Sequence, residues 1–102
     1  MAAGWLDGRS SRAPDALRRR VYRHLADVDA RATDDPTPEA LAQAGRGALD
    51  QVLAHTGDRS VALDLLAADA LVTLALLAQA QRTPARLASF AAEVLRAGMA
   101  DA

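Results

Sequence analysis

The stretch Val61-Ala62-Leu63-Asp64-Leu65-Leu66-Ala67-Ala68-Asp69-Ala70-Leu71-Val72-Thr73-Leu74-Ala75-Leu76-Leu77-Ala78-Gln79 decides the fold. Ala and Leu, which lose little on entering a helix, fill it, and no apolar/polar alternation runs through it. It reads as part of a helix over 59–81 that is apolar nearly all round, and such a helix is buried on several sides or crosses a membrane. A crossing segment needs about 20 mostly apolar residues. Asp64 and Asp69 leave only Ala70 to Ala78 without strongly polar groups, Thr73 excepted. The pattern therefore predicts a buried central helix and no membrane partner.

Composition extends this reading to the whole chain. The 102 residues include 26 Ala, 15 Leu and 6 Val but no Ile, and only 3% are aromatic, too few β-branched and aromatic side chains for several strands. An all-α class follows. The length suits one domain, and 51% hydrophobic residues suffice for a packed core. Without Cys there is neither a disulfide nor a thiolate metal site. Asp7 and Gly8 interrupt the first apolar run, so no signal peptide is read and a cytoplasmic location is expected.

Helix starts are marked at Pro14, Pro38 and Pro84, each followed three residues later by a Leu, with Thr37 and Thr83 placed to cap. Gly57-Asp58 reads as a tight turn that ends one helix and caps the next. Four helices result, at 14–32, 38–56, 59–81 and 84–98, the last stopping at Gly98. Short connections favour antiparallel neighbours and hence a four-helix up-down bundle over 13–102. Residues 1–12, with Gly4, Gly8, Ser10 and Ser11, read as a flexible N-terminal arm. Its Trp5 either docks on the bundle or anchors a partner.

The first helix turns Leu17, Val21, Leu25, Val28 and Ala32 to one side and its arginines to the other. The second repeats the spacing with Leu41, Ala44, Ala48, Val52 and His55; its Gly45 and Gly47 mark either close contact with a neighbour or two weak spots. The fourth carries Leu87, Phe90, Ala91, Val94 and Leu95 inward. A bundle offers no natural place for a third helix that is apolar on all faces unless something covers its outer side. The expected cover is a second copy, giving a homodimer with Leu66, Ala70, Leu74, Leu77, Phe90 and Val94 at the interface. Tight packing of the Ala-rich faces within one chain is the other possibility.

Among polar residues, Asp69 is expected to be buried and paired with an Arg of the first or second helix, and Asp64 to sit at the helix edge near the favourable N-terminal dipole. His24 reads as a surface or boundary residue and His55 as a partly cationic ring at a helix C-terminus. No Glu-x-x-His or His-x-x-Glu spacing, Gly-x-Ser-x-Gly turn or phosphate-cradling loop occurs, so no catalytic residue, metal or cofactor is expected. Residues 1–33 are net +3 and residues 34–102 net -4. That asymmetry allows a nucleic-acid face of Arg9, Arg12, Arg18, Arg19, Arg20 and Arg23, or a solvated face that pairs with acids.

Leu65-Leu66-Ala67-Ala68-Asp69-Ala70-Leu71-Val72-Thr73-Leu74-Ala75 is similar to a helix of polyprenyl diphosphate synthases, larger all-α enzymes that bind magnesium through aspartate-rich motifs. Their Asp-Asp-x-x-Asp pattern is absent: Asp34-Asp35 is followed by Pro36-Thr37-Pro38. No activity is carried over. The expected function is a non-catalytic helical interaction and assembly module that self-associates through its third helix. A nucleic-acid-associated regulator is the alternative, and third comes a small-ligand carrier or enzyme with Asp69 or His24 facing a pocket between helices.

Overall fold

A computed structural model describes residues 2–28, 36–55 and 59–100. Among these the chain is all-helical: α1 (Ala2–Ser10), α2 (Asp15–Val28), α3 (Pro38–Ala54), α4 (Arg59–Arg82), one 3-10 turn (Pro84–Arg86) and α5 (Leu87–Ala100). Five α-helices replace the four expected. The end of the first helix beyond Val28 and the Gly57-Asp58 turn lie outside the described residues.

α3 begins as its sequence dictates. The Thr37 hydroxyl accepts from the Ala40 amide at 3.0 Å, Pro38 occupies the first turn, and Glu39 adds a carboxylate near the positive end of the dipole. Thr83 does not repeat this. Its side chain makes no cap bond, and the chain enters α5 through a 3-10 turn in which Arg86 N–H donates to the Thr83 carbonyl. α5 continues past Gly98 to Ala100, so that glycine is not its stop.

α3 and α4 form an antiparallel hairpin. Gly45 lies against Ala68, Leu71 and Val72, and Pro38 and Glu39 share a cleft with Gln79 and Thr83. Leu41 and Ala44 of α3 meet Ala67, Leu71 and Ala75 of α4, and these and Ala48 are all at 1% exposure or less. The small side chains let the backbones approach closely. A Cβ built on Gly45 would stand 3.1 Å from Val72 Cγ2 and 3.3 Å from Leu71 Cβ, so this glycine is a contact glycine; Gly47 has nothing within 4 Å. α2 packs across both helices of the hairpin, with Val21 at 3% exposure and Leu17, Leu25 and Val28 against the same core.

The N-terminal segment is helical rather than a loose arm. Leu6 is buried at 2% exposure, the Trp5 indole N–H donates to Gln81 Oε1 at 2.9 Å, and the Tyr22 hydroxyl donates to Asp7 Oδ1. Gly4 and Gly8 weaken a helix, but seating Leu6 and Trp5 on the bundle outweighs that: a buried Leu side chain contributes about 1.5–3 kcal/mol, against about 1 for each glycine. Trp5 therefore docks on the end of α4.

α4 is long and apolar enough, by length and composition, to cross a membrane, and 39% of its most apolar stretch is buried within the chain. It is not greasy on every side. Ala62, Leu65, Leu66, Asp69 and Thr73 are exposed, which gives the helix an outer face with both apolar and polar groups.

Candidate functional site

Two constellations stand out, one inside the molecule and one on its surface. The inner one joins α2 to α4. Asp64 is 5% exposed, and its Oδ1 accepts from Arg20 Nη1 at 2.8 Å and lies 3.0 Å from His24 Nε2. Arg23 Nη2 stands at 3.7 Å and also donates to Gln51 Oε1 of α3 at 3.2 Å. Burial alone would raise the Asp64 pKa. The hydrogen bonds from His24 and Arg20, together with the charges behind them, outweigh burial and hold the carboxyl below its ordinary value.

The roles assigned from sequence to the two aspartates are therefore exchanged. Asp64 is the buried carboxylate and Asp69 is exposed. Five residues on a helix turn through about 140°, so only one of the pair can face α2. Asp64 shares a side with Ala67, Ala68 and Leu71, whereas Asp69 shares one with Ala62, Leu66 and Thr73. His24 is likewise buried, at 2% exposure, rather than at the surface. It falls one turn before Val28 and one residue from Leu25, on the inward side of α2.

This cluster links α2 to α4 and, through Arg23, to α3. Among the described residues no group of three or more His, Asp or Glu side chains is placed to hold a metal ion. His24 and Asp27 line a polar cleft of about 440 Å3 between α2 and α3, together with Gln43, Asp50 and Gln51. None of those residues is the hydroxyl or thiol nucleophile that a His–Asp pair would activate.

The cluster also shows what becomes of the basic segment. Arg20 and Arg23 are turned to Asp64, and Arg18 lies 3.9 Å from both Asp7 and Asp15. Arg9, Arg12 and Arg19 are exposed. Three of the six arginines thus face acids of their own chain, and the other three are exposed. His55 Nδ1 lies 3.1 Å from the Gln51 carbonyl, in the helix-terminal position expected for it.

The surface constellation is an apolar groove of about 550 Å3 bounded by α3, α4 and α5. Ala42, Gly45, Ala68 and Val72 form its floor, while Phe90 and Val94 form its α5 wall. Small residues on α3 and α4 give it depth. At the rim stand Glu39, Asp69 and Glu93, with Arg46, whose guanidinium donates to the Ala97 carbonyl and ties α3 to α5.

Beyond that tie the hairpin runs on towards Ala54 and Arg59, and there the apolar side chains are open. Leu49 is 37% exposed, Leu53 71%, and Leu65 and Leu66 52% each. Of the expected interface residues, Leu66 belongs to this corner. Ala70, Leu74 and Val94 are half-buried against the chain's own core, Leu77 is half-buried, and Phe90 is 8% exposed within the core. Sequence reading missed Leu49 and Leu53. The signal was a second stripe on α3, Ala42, Arg46, Leu49 and Leu53 at three- and four-residue spacing, beside the Leu41, Ala44, Ala48 stripe that fills the core.

No family model matches the chain, and comparisons with curated proteins and with solved structures likewise find no match.

Proposed function

We propose that this chain is a non-catalytic helical association module that binds a second copy of itself through the open end of the α3–α4 hairpin. The observation that carries the reading is the corner of Leu49, Leu53, Leu65 and Leu66, four large apolar side chains on two adjoining helices, each more than a third exposed. Scattered surface leucines are ordinary, but here Leu49 and Leu65 line one groove, and Leu53 and Leu66 lie within a turn of them on the same two helices. In a two-fold dimer the same corner supplies both sides. Two copies joined this way bring the α3 and α4 ends of each chain together.

The energetics favour a modest affinity. Each leucine gains at most about 1.5–3 kcal/mol on full burial, and these four are already part-covered. Rigid-body and side-chain ordering costs take at least about 4 kcal/mol. The dimer should therefore form in roughly the micromolar range, below the strength of an interface burying about 800 Å2 per partner.

Sedimentation velocity across two decades of concentration tests this. The wild type should shift from monomer to dimer, and Leu53→Glu or Leu66→Glu should remain monomeric with unchanged helix content. A wild type that is monomeric throughout overturns the proposal.

A further inference from the structure

The cleft that Glu39 shares with Gln79 and Thr83, where α3 begins and α4 ends, has a volume of about 220 Å3. No leucine of the self-association corner lines it. Two cations and two anions do. Arg82 comes from the end of α4 and Arg86 from the 3-10 turn, while Glu39 comes from the first turn of α3 and Glu93 from α5. Among the described residues none of these four side chains makes an ion pair or a hydrogen bond, so their opposite charges stay more than 4.0 Å apart. They gather round one opening without closing on each other.

The inner wall makes this more than a ring of solvated charges. Gln79 is only 7% exposed. Its Nε2 donates to the Thr83 carbonyl at 3.2 Å, and that bond fixes the amide, because only the NH2 end can meet a carbonyl. Oε1 is left as an acceptor with no donor among the described residues. It is not sealed from solvent, and the cleft is where Gln79 is lined up with it. The Thr83 hydroxyl, which makes no cap bond, is also open. The polar groups on the α2 side of the hairpin are different: there Arg23 answers Gln51, and His24 answers Asp64.

We propose that this cleft binds a small zwitterion, a free amino acid. The two arginines and two glutamates cancel, so a ligand of one sign is attracted by one pair and repelled by the other; a ligand carrying both signs is attracted by both. An ammonium supplies the N–H donors that Gln79 Oε1 lacks and is held by the carboxylates of Glu39 and Glu93. A carboxylate accepts the forked N–H donors of Arg82 and Arg86. Phe90, 8% exposed, adds an apolar surface for the side chain. Size fits the same class. At about 30 Å3 per water the cleft holds roughly seven waters, the scale of an amino acid and below that of drug-sized sites. The site is built within one chain and does not rest on self-association.

Thermal-shift screening of the free L-amino acids against the full chain, followed by calorimetric titration, tests this. At least one amino acid should bind saturably with a Kd below about 1 mM. Its N-acetyl derivative, which lacks the ammonium, and its carboxamide, which lacks the carboxylate, should each bind at least tenfold more weakly. Arg82→Gln with Arg86→Gln, and separately Glu39→Gln with Glu93→Gln, all at exposed positions, should each cost at least tenfold with helix content unchanged. Gln79→Met, which keeps the length of the side chain and removes the acceptor, should cost severalfold.

Failure of every amino acid to bind overturns the proposal. So does undiminished binding of either blocked derivative, since both charges are then not read together. Indifference to either pair of exchanges places the ligand elsewhere and overturns it equally. These exposed pairs decide the matter even if Gln79→Met does not fold.

Discussion

The two sides of the α3–α4 hairpin make opposite use of the same kind of sequence. Towards α2, Leu41, Ala44, Ala48, Ala67 and Leu71 are closed to solvent and the embedded carboxylate, Asp64, meets Arg20 and His24. Away from α2, Leu49 and Leu65 are partly open, and the carboxylates Glu39, Asp69 and Glu93 face water. The first side is closed within the chain, whereas the second leaves apolar area and charge open to solvent. Apolar content alone does not separate an inner face from an outer one in a helix as uniformly greasy as α4. The answering charges on the neighbouring helix do.

The largest test of that contrast exchanges the two aspartates as targets. Asp64→Ala leaves half-buried Arg20 and buried His24 without their carboxylate and should cost about 1–3 kcal/mol in a urea-unfolding measurement. Asp69→Ala, at an exposed position, should stay within about 0.5 kcal/mol. Equal effects would break the distinction between the sides. Acid sharpens it further. The Asp64 pKa is lowered in the folded chain, so its contribution is present above the ordinary carboxylate value, about 3.9, and is lost as pH falls through that value towards the folded one. Below about pH 4 the wild type should lose stability more steeply than Asp64→Asn, which has no such proton to take up.

Next come the two glycines of α3, which lie two residues apart and face different surroundings. At Gly45 an added methyl meets Leu71 Cβ at 3.3 Å and the Ala68 carbonyl at 3.4 Å, atoms that cannot rotate away. Gly45→Ala should therefore destabilise by about 1 kcal/mol, overpacking exceeding the gain in helix propensity. Gly47→Ala meets nothing and should stabilise by about 1 kcal/mol. Thermal unfolding of both variants measures the difference directly; a gain at Gly45 would mean that the hairpin is looser than described.

Those glycines also show what the sequence disclosed and what it withheld. The all-helical class, the capped start of α3 at Thr37-Pro38 and the long apolar α4 follow from local rules: propensity, cap chemistry and absent strand residues. Close contact and weak spot were both readable at Gly45 and Gly47, and each reading holds at one of them, because only the partner helix decides. Asp64 and Asp69 were interchangeable for the same reason. A helix with little apolar asymmetry does not announce which side its neighbour takes, and the register that brings Arg20 and His24 to Asp64 spans forty residues or more. The helical state of α1 was hidden because Gly4 and Gly8 argue against it locally, while the seating of Leu6 and Trp5 is a tertiary effect. The groove was illegible because it is a gap between three helices.

The smallest expected effect concerns α1, where docking on the bundle rests on a few side chains. Tyr22 is the one tyrosine, so its ultraviolet titration is unambiguous. Burial first, and then the hydrogen bond to Asp7 and that carboxylate's charge, push the phenol up to about 12. Below about pH 10, the unfolded value, both states keep the proton and the contact contributes in full. Between about 10 and 12 the unfolded chain ionises first, so stability falls as pH rises and the contribution is gone above the folded value. Asp7→Asn removes the carboxylate's charge but leaves the burial, and its midpoint should fall only part of the way to 10. A wild-type midpoint already near 10 would mean that α1 does not rest on α2. The α2 side of the hairpin would then be less complete than the comparison requires, because Leu6 and Trp5, which close its end, would lose their seat.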